Sequence, residues 1–240
     1  MRAKKKKIQK HPFHLVDPSP WPLVAAFGGL SLTFGGVLFM HNYENGGKLL
    51  CLGVVTILYV MFTWWRDIIR EALFEGQHTL AVQQGLRIGM ILFIVSEVMF
   101  FFAFFWAFFT SSISPVFNIG GVWPPTHIVA ISPWGLPFVN TILLLSSGAS
   151  VTWAHHAIMA GFKKEGLYAL GTTLIFAVAF TILQGFEYAG APFSMSDGVY
   201  GSIFYMATGF HGFHVIIGTI FLSICTARLY FGHFSRRHHF

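Results

Sequence analysis

Charge is what this sequence has least of. Asp, Glu, Lys and Arg together make up 10% of 240 residues, against roughly 25% in soluble domains. So few charged groups cannot coat a globule of this size with a hydrated surface, which excludes a soluble enzyme. A hydrophobic share of 55% excludes a disordered linker as well. Cysteine is also scarce. Cys51 and Cys225 each sit inside an apolar run, so there is neither a disulfide framework nor a paired-cysteine metal motif. The alternating pattern of a lipid-facing β-barrel is missing. The net charge of +6 does not point to nucleic acid: six of the fifteen basic residues fall in the first ten positions, and the rest form no basic stripe.

What is present is long apolar sequence. About 20 mainly apolar residues cross roughly 30 Å of hydrocarbon, and six stretches qualify: Trp21–Met40, Leu49–Trp65, Leu86–Thr110, Leu136–Ala157, Leu167–Tyr188 and Tyr200–Tyr230. Each is apolar around its whole circumference, as a membrane helix is and a surface helix is not. The last is longer than a span needs, so it should tilt or emerge from the bilayer as helix. The expected fold is all-α, a polytopic transmembrane helical bundle. Residues 1–20 read as a basic tail, 21–65 as a two-helix bundle, 66–85 as a polar connection and 86–240 as a four-helix bundle. Met1–Lys10 is followed by HPFHLVDPSPWP and not by a short apolar run with a small-residue cleavage site, so it reads as an anchor tail and not as a removable signal.

The basic residues test that count. With six spans, fourteen of the fifteen fall on one side, and Lys48 alone falls on the other. Such asymmetry places both termini on the side from which the chain was inserted.

Small residues mark candidate helix contacts. Gly28, Gly29, Gly35 and Gly36 recur at a spacing of seven in the first span, and Ser146–Ser150 cluster in the fourth. They read either as close-packed interfaces or as generic membrane-helix composition. The third span is the opposite, with Phe100, Phe101, Phe102, Phe104, Phe105, Trp106, Phe108 and Phe109 reading as lipid contact or as filling between helices.

Glu97 stands near the middle of that span, where an ionised carboxylate costs several kcal/mol unless paired or hydrated. It is either a proton-active or ligand-contacting acid, or a neutral carboxyl bonded to a neighbouring helix. After Trp64 and Trp65, Arg66 and Arg70 would share one face of a continuing helix, and Asp67 and Glu71 another. They suit either phosphodiester headgroups or a self-paired interfacial turn. His155 and His156 are adjacent and point about 100° apart on a helix. His211 and His214 are three apart, and no Glu-x-x-His pattern falls in any span, so a metal or haem site in this chain is disfavoured. No Ser/His/Asp set, phosphate loop or nucleophile elbow occurs at a usable place.

The strings HPFHLVDPSPWP, WWRDIIRE, ILFIVSEVMFFFAFFWAFF, GGVWPP, VTWAHHAIMAG and MATGFHGFHVIIG resemble, in order and spacing, those of the cytochrome c oxidase subunit III family in its mitochondrial form. The resemblance runs from about His11 to Phe240. It implies a non-redox core subunit of an aa3-type oxidase in the mitochondrial inner membrane, with both termini in the matrix. Haem a and copper would lie in partner subunits I and II, none in this chain. The subunit would stabilise subunit I, contact accessory subunits, support proton uptake, protect against turnover inactivation, and hold structural phospholipids in a cleft between its two bundles. Glu97 matches the family's buried, proton-active acid. Trp65, Arg70, Glu71, Phe74, His78, His214 and Arg228 match lipid-binding positions. The family continues beyond His238-His239-Phe240 with a seventh helix, for which the resemblance suggests a separate polypeptide or a loss. Two unrelated readings stay open on the residues alone. A proton or small-solute transporter would use Glu97 as its carrier group, and a membrane haem protein would use His156 with His211 or His214.

Overall fold

The computed structural model describes residues 10–236 together with 238 and 239. The tail residues up to Gln9, Arg237 and Phe240 lie outside the described residues. Six helices follow in order: α1 (Trp21–Met40), α2 (Gly46–Leu73), α3 (Leu80–Ile113), α4 (Leu136–Ala160), α5 (Lys163–Gly190) and α6 (Val199–Tyr230). All six are long and apolar enough to cross a membrane, and no strand occurs among the described residues.

The helices are longer than the spans. α1 matches its expected bounds, but α2 runs on through Arg66–Leu73 and α3 starts at Leu80, so most of the polar 66–85 stretch is helical. Charge ends the hydrocarbon segment without ending the helix, since a helix satisfies its own backbone groups in either medium. At 32 residues, α6 is about 48 Å long.

The chain divides into two compact units, one extending to Ile91 and the other beginning at Leu92. In the first, α1 packs on α2 through glycine. Gly28 and Gly35 of α1 are buried against α2, as are Gly46 and Gly53 of α2 against α1. A Cβ on Gly35 would fall on the backbone of Leu50, one on Gly53 on the backbone of Leu32, and one on Gly46 on that of Phe39. Gly29, by contrast, has open space. Without a hydrophobic force between helices in lipid, this close approach supplies the attraction.

In the second unit α5 is central, packing on α4 and on α6. The buried faces repeat every three or four residues. Asn140, Ser150, Ala154 and Ala157 lie on α4, and Gly166, Leu170, Thr173, Ala177, Phe180 and Glu187 on α5. The register is antiparallel: Ser150 and Thr173 are hydrogen-bonded at 2.7 Å, while Ala154, Ala169, Leu170 and Leu229 form one cluster. The turn between α4 and α5 closes on Gly161, whose φ of +87° only glycine adopts without strain. α3 is held differently. It shares no close backbone contact with α6, and the interval is bridged by rings, with Phe100 and Phe104 stacking at 5.0 and 5.4 Å on Phe210. The other side of α3 leaves Phe102, Phe105, Trp106 and Phe109 exposed. The aromatic run fills the interval to α6 on one face and is exposed on another.

Candidate functional site

Glu97 lies midway along α3 and His214 midway along α6. Oε2 of the acid is 2.5 Å from Nε2 of the ring. Nδ1 of the same ring is 2.6 Å from the backbone oxygen of Phe210, one helical turn back. A carbonyl only accepts, so Nδ1 carries a hydrogen. The contact between Nε2 and Oε2 therefore needs one proton, held by nitrogen as an imidazolium–carboxylate pair or by oxygen as an imidazole–carboxylic acid pair. The net charge is zero either way, which is how an acid is tolerated at this depth. Phe101 stacks edge-on at 5.2 Å against the imidazole and fixes its plane.

The pair is not sealed. Its side chains are 32% and 35% exposed. Glu97 shares its exposed face of α3 with Ile94, Val98, Phe101, Phe102 and Phe105. One edge of the carboxyl meets imidazole and the other meets apolar surface. Neither residue's pairing was readable from sequence, because 117 positions separate them.

The headgroup candidates of the first unit gather at the end of α2. Trp65 is exposed, Arg70 is exposed and forms no ion pair among the described residues, and Phe74 caps the helix through its N–H to the oxygen of Arg70 at 2.9 Å while its ring stays 81% exposed. The carbonyl of Glu71 accepts from the Gln77 N–H at 3.2 Å. The His78 ring stands 6.2 Å from that of His14, and Thr79 Oγ1 donates to the oxygen of Pro12 at 2.5 Å, so the HPFH segment is fastened over this end. Arg66 is self-paired: it donates to Oδ1 of Asp67 at 2.8 Å, while Oδ2 accepts from Trp21 Nε1 at 2.7 Å. That tie between the ends of α1 and α2 has no local signal in the sequence.

Arg228 ends α6, fourteen residues or about 21 Å along the helix from His214, so these two candidates do not meet. Its guanidinium lies 4.7 Å over the ring of Phe234, and its Nε is buried without a hydrogen-bond partner. His211 turns to Phe180 of α5 at 5.8 Å. His155 meets His239 through Nε2 atoms 3.2 Å apart, so one ring donates and the other accepts. Among the described residues no three His, Cys, Asp or Glu side chains are grouped to hold a metal ion.

A family model for cytochrome c oxidase subunit III matches residues 11–240. The chain is 84% identical over its whole length to cytochrome c oxidase subunit 3 of Pylaiella littoralis, covering 88% of that protein. This chain belongs to the cytochrome c oxidase subunit III family. It is 65% identical over 232 residues to the subunit 3 of Marchantia polymorpha, with 97% of this chain and 88% of that one covered. It is 61% identical over 231 residues to that of Arabidopsis thaliana, covering 96% and 87% respectively. Membership places the chain in an oxidase assembly as a multi-pass inner-membrane subunit, which six spanning helices suit, and it decides against the transporter and haem-protein readings.

Proposed function

We propose that this chain serves its oxidase without a redox centre of its own, stabilising subunit I, holding phospholipid, and supporting proton uptake through Glu97 and His214. The observation that carries this is the net-neutral Glu97–His214 pair. It keeps one proton in a short hydrogen bond between α3 and α6, with the acid partly exposed on an apolar face of α3. Such a pair relays a proton without leaving a lone charge in hydrocarbon when uptake at one partner and release from the other are concerted, because an added proton alone would leave an imidazolium beside a neutral acid. Haem a and copper belong, in this reading, to the partner subunits, and oxygen chemistry proceeds there. The phospholipid contacts are Trp65, Arg70, Glu71, Phe74 and His78 in the first unit, and Arg228 in the second, with His214 facing the acyl region beside Glu97. Exposed indole and guanidinium at the end of a span suit a headgroup and its phosphate. The basic side of the chain faces the mitochondrial matrix.

The test is the purified, assembled oxidase carrying Glu97→Gln. Haem spectra should stay near those of the unmodified enzyme, while proton uptake, and with it the rate of oxygen reduction, slows several-fold. Unchanged uptake would reject the role assigned to the pair.

A further inference from the structure

Two buried polar side chains, Asn140 on α4 and Glu187 on α5, carry atoms with no hydrogen-bond partner. Asn140 is 4% exposed, and neither its Oδ1 nor its Nδ2 has a hydrogen-bond partner. Glu187 is 8% exposed; its Oε1 accepts from Gln184 Nε2 at 3.3 Å, while its Oε2 is buried and unpartnered. Buried polar groups in native proteins are satisfied by protein or by ordered water, so three orphaned atoms on two facing helices need an explanation.

Their placement supplies one. Asn140 continues the α4 stripe that carries Ser150, Ala154 and Ala157, and Glu187 continues the buried side of α5 that carries Thr173, Ala177 and Phe180, on which α4 and α6 both pack. The Ser150–Thr173 hydrogen bond fixes the antiparallel register. Counting ten residues back from Ser150 and ten on from Thr173 sets Asn140 opposite Leu183, beside Gln184 and one turn from Glu187. A carboxamide offers two donor hydrogens and an acceptor, and a carboxyl offers its oxygens. Between them, one water can donate to each acceptor and accept from Nδ2. Near this end of α5, Tyr188 is engaged with Thr208 at 2.8 Å, Tyr205 donates to the oxygen of Phe193, and Asp197 accepts from the Ser194 N–H. The positive side chains of α5, Lys163 and Lys164, lie at its far end.

We propose that Asn140, Gln184 and Glu187 form a binding site for one structural water between α4 and α5, which locks the ends of these helices together. Together with Ser150 and Thr173 it gives the interface a second polar tie, about ten residues from the first, where lipid provides no hydrophobic force to hold two helices in register.

The direct test is a high-resolution cryo-electron microscopy map of the whole oxidase in lipid nanodiscs. A single density peak within hydrogen-bond distance of both Asn140 and Glu187 is expected. A direct Asn140–Glu187 hydrogen bond with no peak between them would overturn the proposal, as would a peak ringed by five or more oxygens at metal-ligand distances, or side chains facing apart. In the same complex, Asn140→Leu and Glu187→Leu should each lower the dissociation temperature of this subunit, and the double variant should cost no more than the worse single one. Additive losses would contradict a shared water. Should either variant fail to assemble, the map of the unmodified complex still decides.

Discussion

Oε2 of Glu97 stands 2.5 Å from Nε2 of His214, and the opposite ring nitrogen is already committed to the carbonyl of Phe210 at 2.6 Å. The ring cannot turn over to offer a bare nitrogen elsewhere, so acid and imidazole hold one proton between them. The consequences for stability are asymmetric. His214→Leu strands the acid against apolar surface and should cost the subunit about 2–4 kcal/mol. Glu97→Gln keeps a hydrogen bond and should cost about 1 kcal/mol. The double variant Glu97→Leu with His214→Leu should be less damaging than His214→Leu alone. Thermal dissociation of the subunit from the detergent-solubilised oxidase measures all three.

The α1–α2 contact makes a sharper distinction among glycines that look alike in sequence. Gly53→Ala drives a Cβ into the backbone of Leu32 and should destabilise the pair by about 1–3 kcal/mol. Gly29→Ala, in open space, should change stability by less than about 0.5 kcal/mol. Subunit retention after mild heating separates the two.

Thr173→Val removes the hydroxyl that meets Ser150 while keeping the shape of the side chain. The expected loss is about 0.6–1.7 kcal/mol, read as a shift in the same dissociation temperature. Ser150→Leu should be worse, because the bulk lands where Thr173 stands 2.7 Å from the native hydroxyl.

At the headgroup end of α2, Arg70 is exposed and makes no ion pair among the described residues, whereas Arg66 is held by Asp67. Arg70→Gln should therefore lower the phospholipid retained per purified oxidase, and Arg66→Gln should lower it less. Phosphorus analysis after delipidating washes gives the comparison; equal losses would contradict the distinction.

The arrangement of the spans was open to reading because hydrocarbon imposes it: length and charge alone located all six, and the resemblance of the motifs supplied the family. Helix ends were less legible, since Arg66–Leu73 looks like a connection and is helix. The glycine contact was half visible. Gly28 and Gly35 repeat at seven, but so do Gly46 and Gly53 in α2, and only the facing pairs matter. Glu97 and His214 each stood out, one as an acid in a span and one in an HGFH string. Their pairing is a tertiary fact that neither helix encodes by itself. The same holds for Asp67 with Trp21, and for Asn140, an unremarked amide among apolar neighbours.

Infrared difference spectroscopy of the assembled oxidase in lipid tests the shared proton most directly. A carboxyl or carboxylate band that disappears in Glu97→Gln should also shift when His214 is replaced by Gln, because the two groups hold one proton in common. A Glu97 band that stays at the same frequency without the imidazole would contradict it.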